Sequence, residues 1–248
     1  MSISGKVAIV SGAADGLGRA FAKRLVAESC LVLAFDVKSE VQSIEGATGV
    51  VADVSNRTDV ERVVEQAAAM GEIGVLVNNA GTWKRTPVDS SWEQALADWD
   101  FIMDTNLKGV LMLSRAVVPH MQKNGGHIVN ISTYYVLPAK SDGTNQPDTD
   151  LYNASKWALN GFTDAWAKYL EKDNIKVNSL CMGATDTSML RGLFPDNQLP
   201  PDLAETVMQG SDIAQQMIDV INSGRNFLPS QNLFVNISSG SATFRVNT

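Results

Sequence analysis

The chain has 248 residues, 44% hydrophobic and 19% charged, a balance that fits one large α/β domain with a sizeable core and excludes intrinsic disorder. A net charge of −7 argues against nucleic acid or an anionic membrane as partner, and no apolar run approaches the roughly 18 residues of a membrane span. Two cysteines without metal spacing, and an amino terminus with neither basic flank nor cleavage site, predict no metal, no disulfide framework and a cytoplasmic protein.

In chain order, short β-branched runs alternate with helical patterns. Strands are expected at 6–12, 31–37, 49–54, 74–80, 127–132 and 176–183. Helices are expected over 17–29, where Leu17, Ala20, Phe21 and Leu25 repeat at helical spacing, and over 58–70, 92–122 and 152–172. Residues 184–225 read as mostly helical, and "NLFVNIS" at 232–238 as a final edge strand. Near-continuous apolar strands between helices call for a parallel sheet covered on both faces. The expected fold is a doubly wound, single-domain Rossmann type over 1–248, with ligands at the strand C-terminal ends. The three prolines of 184–209 suggest a lid over that end.

The first strand runs into "SGAADGLG", which places Gly12, Gly16 and Gly18 around Asp15 and Leu17 at a strand-to-helix turn. Glycine permits positive φ there and lets the backbone approach a pyrophosphate, which the next helix meets with its unpaired N–H groups. Asp36 ends the second strand twenty residues beyond Gly16, where a carboxylate accepts hydrogen bonds from an adenosine ribose and repels a 2′-phosphate. Lys38 is the one nearby cation that could oppose this, so NAD is the expected cofactor over NADP.

"DLYNASK" sets Tyr152 and Lys156 at i and i+4, on one face of a helix. The spacing Gly-x-x-x-Gly-x-Gly, "NNAG" at 78–81 and "YNASK", together with Asn106 and Ser132, resembles the short-chain dehydrogenase/reductase family in its own order from residue 6 to about 190. That resemblance implies a catalytic set of Asn106, Ser132, Tyr152 and Lys156. Tyr152 would exchange a proton with an alcohol or ketone oxygen, its phenol lowered by the Lys156 ammonium and an oxidised nicotinamide. Ser132 would hydrogen-bond the same oxygen, and Asn106 would hold a water leading from Lys156 to solvent. The resemblance further implies cofactor contacts from Asp53 and Val54 at the adenine, from Asn79, Ala80 and Gly81, and from Gly183, Thr185 and Thr187 near the nicotinamide. Tyr134 and Tyr135, which compete with Tyr152 in sequence, become spectators lining the substrate side.

The chain departs from the family's pattern in three places. Nineteen residues separate Ser132 from Tyr152 instead of about a dozen, and the polar extra at 138–150 reads as a loop beside the active site. Met182 replaces a proline, and the carboxyl terminus keeps only the family's outline. Oligomerisation is therefore expected through the helices at 92–122 and 152–172, with Trp157 a candidate contact. Trp83, Tyr134, Tyr135, Leu190, Leu193 and Phe194 fall where the family shapes its pocket, favouring an alicyclic or aromatic secondary alcohol or ketone. Lys84, Arg85 and Arg191 could instead receive a carboxylate. A sugar, polyol or ketoacyl-type substrate, and a non-catalytic NAD-binding regulator, are the alternatives. His120, His127 and Cys181 are read as structural.

Overall fold

The computed structural model describes residues 2–136, 147–224, 232–238 and 241–246. Most of the polar extra at 138–150 thus lies outside the described residues. Parallel strands β1 (Val7–Ser11), β2 (Leu31–Asp36), β3 (Ala47–Val51), β4 (Ile73–Asn78), β5 (Gly126–Thr133), β6 (Ile175–Met182) and β7 (Asn232–Ser238) form one sheet with β8 (Ser241–Val246). Their spatial order is β3-β2-β1-β4-β5-β6-β7-β8, and β8 runs antiparallel to β7. Residues 232–238 therefore form a strand but not the edge, which β8 supplies.

Two cores flank the sheet because successive strand side chains point to opposite faces. In β1, Ala8 and Val10 pack with Phe21 and Leu25 of α1 (Gly16–Ala27) and Ile213 and Met217 of α8 (Gly210–Ser223). Val7 and Ile9 face the other way, onto Val60 and Val63 of α2 (Arg57–Met70) and Leu113 and Val117 of α4 (Val110–Met121). Each such large side chain contributes about 1.5–3 kcal/mol by leaving water.

Two differences from the sequence reading matter for the site. The helix expected over 92–122 is broken into α3 (Trp92–Met103) and α4 by a π-helical segment, Asp104–Gly109, whose widened turn keeps the chain helical and so leaves the periodicity almost intact. Among the described residues beyond β6, only α8 is a long helix; α6 (Ser188–Arg191) and α7 (Pro201–Ala204) are single turns. The chain between them leaves and returns at one point. Thr185 bridges Met208, with Asp186 N donating to Met208 O at 2.8 Å and Met208 N to Ala184 O at 2.9 Å. The strand order reverses direction between β1 and β4, which opens a crevice at their C-terminal ends.

Candidate active site

The crevice is a cleft of about 1020 Å³. On one side lies the loop from β1 into α1. Ser11 Oγ receives the backbone N–H groups of Asn79 and Ala80, both at 3.0 Å, and Asn79 Nδ2 donates back to Ser11 O (3.0 Å) and Gly12 O (2.9 Å). The ends of β1 and β4 are thereby fixed together. A Cβ on Gly12 would meet Ala80 Cα at 2.7 Å, and one on Gly18 would meet Gly12 O at 2.1 Å, so side chains are excluded at both positions. Asn56 caps α2 and Ser91 caps α3, but no side chain caps α1, whose N-cap is Asp15. The first N–H groups of α1 consequently face the cleft without an intrahelical partner, the arrangement that receives a phosphate. Asp36 stands at the end of β2, its carboxylate oriented by the N–H groups of Ala14 and Lys38, each at 3.0 Å. Asp53 Oδ1 accepts from Ser55 N and Oγ, and Val54 packs against Gly109 of the π-helical segment. This donor set fits a dinucleotide: orphan N–H groups for its pyrophosphate and an anchored carboxylate for a ribose diol.

On the other side lies α5 (Asp150–Tyr169), which presents Tyr152 and Lys156 on one face. Lys156 is buried, its Nζ donating to Ile131 O at 2.9 Å and standing 5.8 Å from the centre of the Tyr152 ring. Ser132, buried at the end of β5, donates to Asn160 Oδ1 at 3.3 Å. Asn106 is fully buried behind them in the π-helical segment. Its Oδ1 accepts from Thr82 N (2.7 Å), and its Nδ2 donates to Thr82 O (3.0 Å) and Ser155 Oγ (3.1 Å). Ser155 Oγ in turn donates to Tyr152 O at 2.7 Å, so Asn106 couples the loop after β4, at Thr82, to the helix turn bearing Tyr152.

Burial dominates the electrostatics of the Tyr152–Lys156 pair. Burial pushes the Tyr152 phenol well above its ordinary range, with Tyr135 adding to the rise and a hydrogen bond from Thr133 opposing it. Burial likewise pulls Lys156 down to about 8. The ammonium faces the Ile131 carbonyl instead of the phenol oxygen, so the chain's own groups leave Tyr152 protonated at neutral pH. A positive nicotinamide ring is the remaining charge that would favour phenolate.

A family model for the short chain dehydrogenases matches residues 6–198. The chain belongs to the short chain dehydrogenase family. As a short chain dehydrogenase it is an oxidoreductase that uses a nicotinamide cofactor. It is 35% identical to the 3-oxoacyl-(acyl-carrier-protein) reductase of Thermotoga maritima over 219 residues, 84% of this chain and 83% of that one. A 3-ketoacyl-(acyl-carrier-protein) reductase from Brucella melitensis, solved with NADH, superposes with a TM-score of 0.77 at 25% identity, covering 93% of this chain and 96% of its own. A Beutenbergia cavernae protein described as an NAD(P)-dependent gluconate 5-dehydrogenase, with NADP bound at low occupancy, gives 0.80 at 26% identity, covering 94% and 96%.

In this short chain dehydrogenase, the residues singled out in the glycine loop, at Asp36, Asp53 and Val54, at 79–81 and at Gly183, Thr185 and Thr187 all line the cleft. So do Trp83, Ser132, Tyr134, Tyr135, Tyr152, Lys156, Leu190 and Leu193. Phe194 does not: the turn that ends α6 brings Leu193 to the cleft and leaves its neighbour outside the lining. Lys84, Arg85 and Arg191 are also absent from it, held instead by Asp98, Asp148 and Asp186. Tyr134 and Tyr135 pack ring against ring at 4.8 Å, and burial pushes Tyr135 up to about 12. Cys181 is buried and its thiol raised to about 11, mainly by that burial. Sequence reasoning missed Ser11, Ser155, Asn160 and Ser188. Ser11 was detectable as a hydroxyl directly ahead of the glycine loop, whereas the others act through partners distant in sequence.

Proposed function

We propose that the chain is an NAD(H)-dependent dehydrogenase that interconverts a neutral secondary alcohol and its ketone, with an alicyclic or aromatic substrate. The observation that carries this reading is the convergence of Ser132, Tyr152 and Lys156 in a cleft whose lining includes the apolar and aromatic side chains of Trp83, Tyr134, Tyr135, Met189, Leu190 and Leu193.

A bound nicotinamide supplies the hydride donor or acceptor. Every other task falls to the chain. Ser132 Oγ donates a hydrogen bond to the substrate oxygen as its charge grows. Tyr152 would give its proton to a ketone oxygen in reduction; in oxidation it would first lose that proton to solvent, favoured by a positive nicotinamide ring beside it, and then as phenolate take the alcohol's proton. Lys156 would bind a ribose hydroxyl and add positive charge, burial pulling its ammonium down to about 8. Asn106 keeps the helix turn of Tyr152 in register with the loop after β4 at Thr82. Preference for NAD rests on Asp36, whose anchored carboxylate accepts from a ribose diol and repels a 2′-phosphate.

The same reading takes 1–248 as one catalytic domain and 184–209 as its lid. It takes the assembly as a homo-oligomer packed through the long helices, a point supported by Trp157 and Tyr169 of α5, 43% and 67% exposed. The activities named for the relatives favour a second reading, a ketoacyl or sugar-acid substrate. Against a carboxylate substrate, the three cations once available to it are already paired with Asp98, Asp148 and Asp186.

Tyr152→Phe tests the catalytic role. Turnover should fall by a factor of about 10² or more while NADH affinity stays within about twofold. Full activity in that variant would transfer the role to Tyr134 or Tyr135, and tight NADH binding by a wild type that turns over no alcohol or ketone would favour the regulatory alternative.

A further inference from the structure

Lys38 is the cationic side chain closest in sequence to the ribose-binding carboxylate Asp36, and it lines the cleft. It is not free to serve a phosphate. Its Nζ donates to Asp15 Oδ2 at 3.0 Å, and the same oxygen accepts from Ser188 Oγ at 3.0 Å, across the cleft from the first turn of α6. Its own backbone N–H meanwhile orients Asp36. The acid of the glycine loop therefore does two things: it takes up the Lys38 ammonium beside Asp36, and it ties that loop to the start of the lid segment.

We propose that Asp15 is a specificity-determining residue that works through Lys38, keeping the ammonium away from a 2′-phosphate so that Asp36 alone decides which dinucleotide enters. The proposal rests on the NAD reading above and extends it to a second residue. Lys38 is also held in its charged form, first by the hydrogen bond it donates to Asp15 and then by the charge of that carboxylate. Remove the Asp15 charge and a full ammonium stays at the cleft wall with no partner in the loop. A dianionic phosphate on the ribose is the strongest acceptor within reach. Both side chains are about half exposed, which places the effect in the range of a solvent-screened pair.

The test is a double-mutant cycle on the full chain, read as dissociation constants for NADH and NADPH by fluorescence titration, with no turnover needed. Asp15→Asn keeps the shape and the acceptor for Ser188 while removing the charge. It should lower the ratio of NADPH to NADH dissociation constants by about three- to fivefold, equivalent to about 0.6–1 kcal/mol. Lys38→Met alone should leave that ratio within about twofold of wild type, because the ammonium is already engaged, and in the Asp15→Asn background it should restore the wild-type ratio. An unchanged ratio in Asp15→Asn overturns the proposal. So does a drop that survives Lys38→Met, since bulk charge would then explain it. A wild type that binds NADPH as tightly as NADH contradicts the Asp36 reading instead, and the coupling between Asp15 and Lys38 is still measured by the cycle.

Discussion

Gly18→Ala is a one-methyl perturbation aimed at the joint between β1, β4 and α1. The added Cβ would lie 2.1 Å from Gly12 O and 2.5 Å from Asn79 Nδ2, distances no packed carbon tolerates. Gly12 O is an acceptor for Asn79 Nδ2, so the backbone must move exactly where two hydrogen bonds, to Ser11 O and Gly12 O, close the loop. Overpacking of this kind costs about 1–3 kcal/mol, and each lost hydrogen bond about 0.5–1.5 kcal/mol. Together they predict a loss of about 2–6 kcal/mol, or a fall of about 0.7–2 M in urea midpoint at a slope of about 3 kcal/mol/M. Affinity for NADH should fall in the same variant, because the displaced backbone is the pyrophosphate cradle. Gly161→Ala is the matched control: it lies inside α5, no atom comes within 4 Å of its would-be Cβ, and it should gain about 0.5–1 kcal/mol. Equal midpoints and equal NADH affinity for Gly18→Ala and wild type would refute the reasoning.

Two further outcomes follow from buried polar groups. His127 is 4% exposed at the start of β5, and burial pulls it to about 4 from an ordinary 6.5. The unfolded chain thus binds this proton first as pH falls, so stability should be unaffected above pH 6.5 and decline from there towards pH 4, by up to about 3 kcal/mol. His127→Gln should flatten that slope in urea titrations run at several pH values, and an unaltered slope would assign the acid sensitivity elsewhere. Asn106→Ala removes three hydrogen bonds from a fully buried site and should lower kcat by about tenfold or more, with a smaller change in NADH affinity, as read by steady-state kinetics and titration.

Much of this was legible because its signals are local. Gly12, Gly16 and Gly18, Asp36 at a strand end, and Tyr152 four residues before Lys156 each carry their meaning within one turn or one strand. Strands and helices fell within a few residues of their expected bounds wherever the apolar period was clean, as in β1 and α2. The π-helical break at 104–109 was invisible because one extra residue per turn barely disturbs a helical pattern, yet it is what turns Asn106 inward. Partnerships across the fold were equally hidden. Asp15 meets Ser188 across 173 residues, and Ser11 meets Asn79 across 68. The cations at 84, 85 and 191 looked available in sequence only because the carboxylates that engage them lie on other segments or a turn away. Most of all, the phenol's protonation could not be read from Tyr-x-x-x-Lys, since it depends on how deeply the pair is buried and on where the ammonium points.

The most direct test of the proposed chemistry is NADH formation by the wild-type chain on a panel of neutral alicyclic and aromatic secondary alcohols, repeated with NADP and with two anionic classes, sugar acids and hydroxyacyl thioesters of coenzyme A. The account predicts turnover with NAD on the apolar cyclic or aromatic members, little with NADP, and none on the anionic substrates. Turnover confined to thioesters or sugar acids, or faster with NADP, would contradict it.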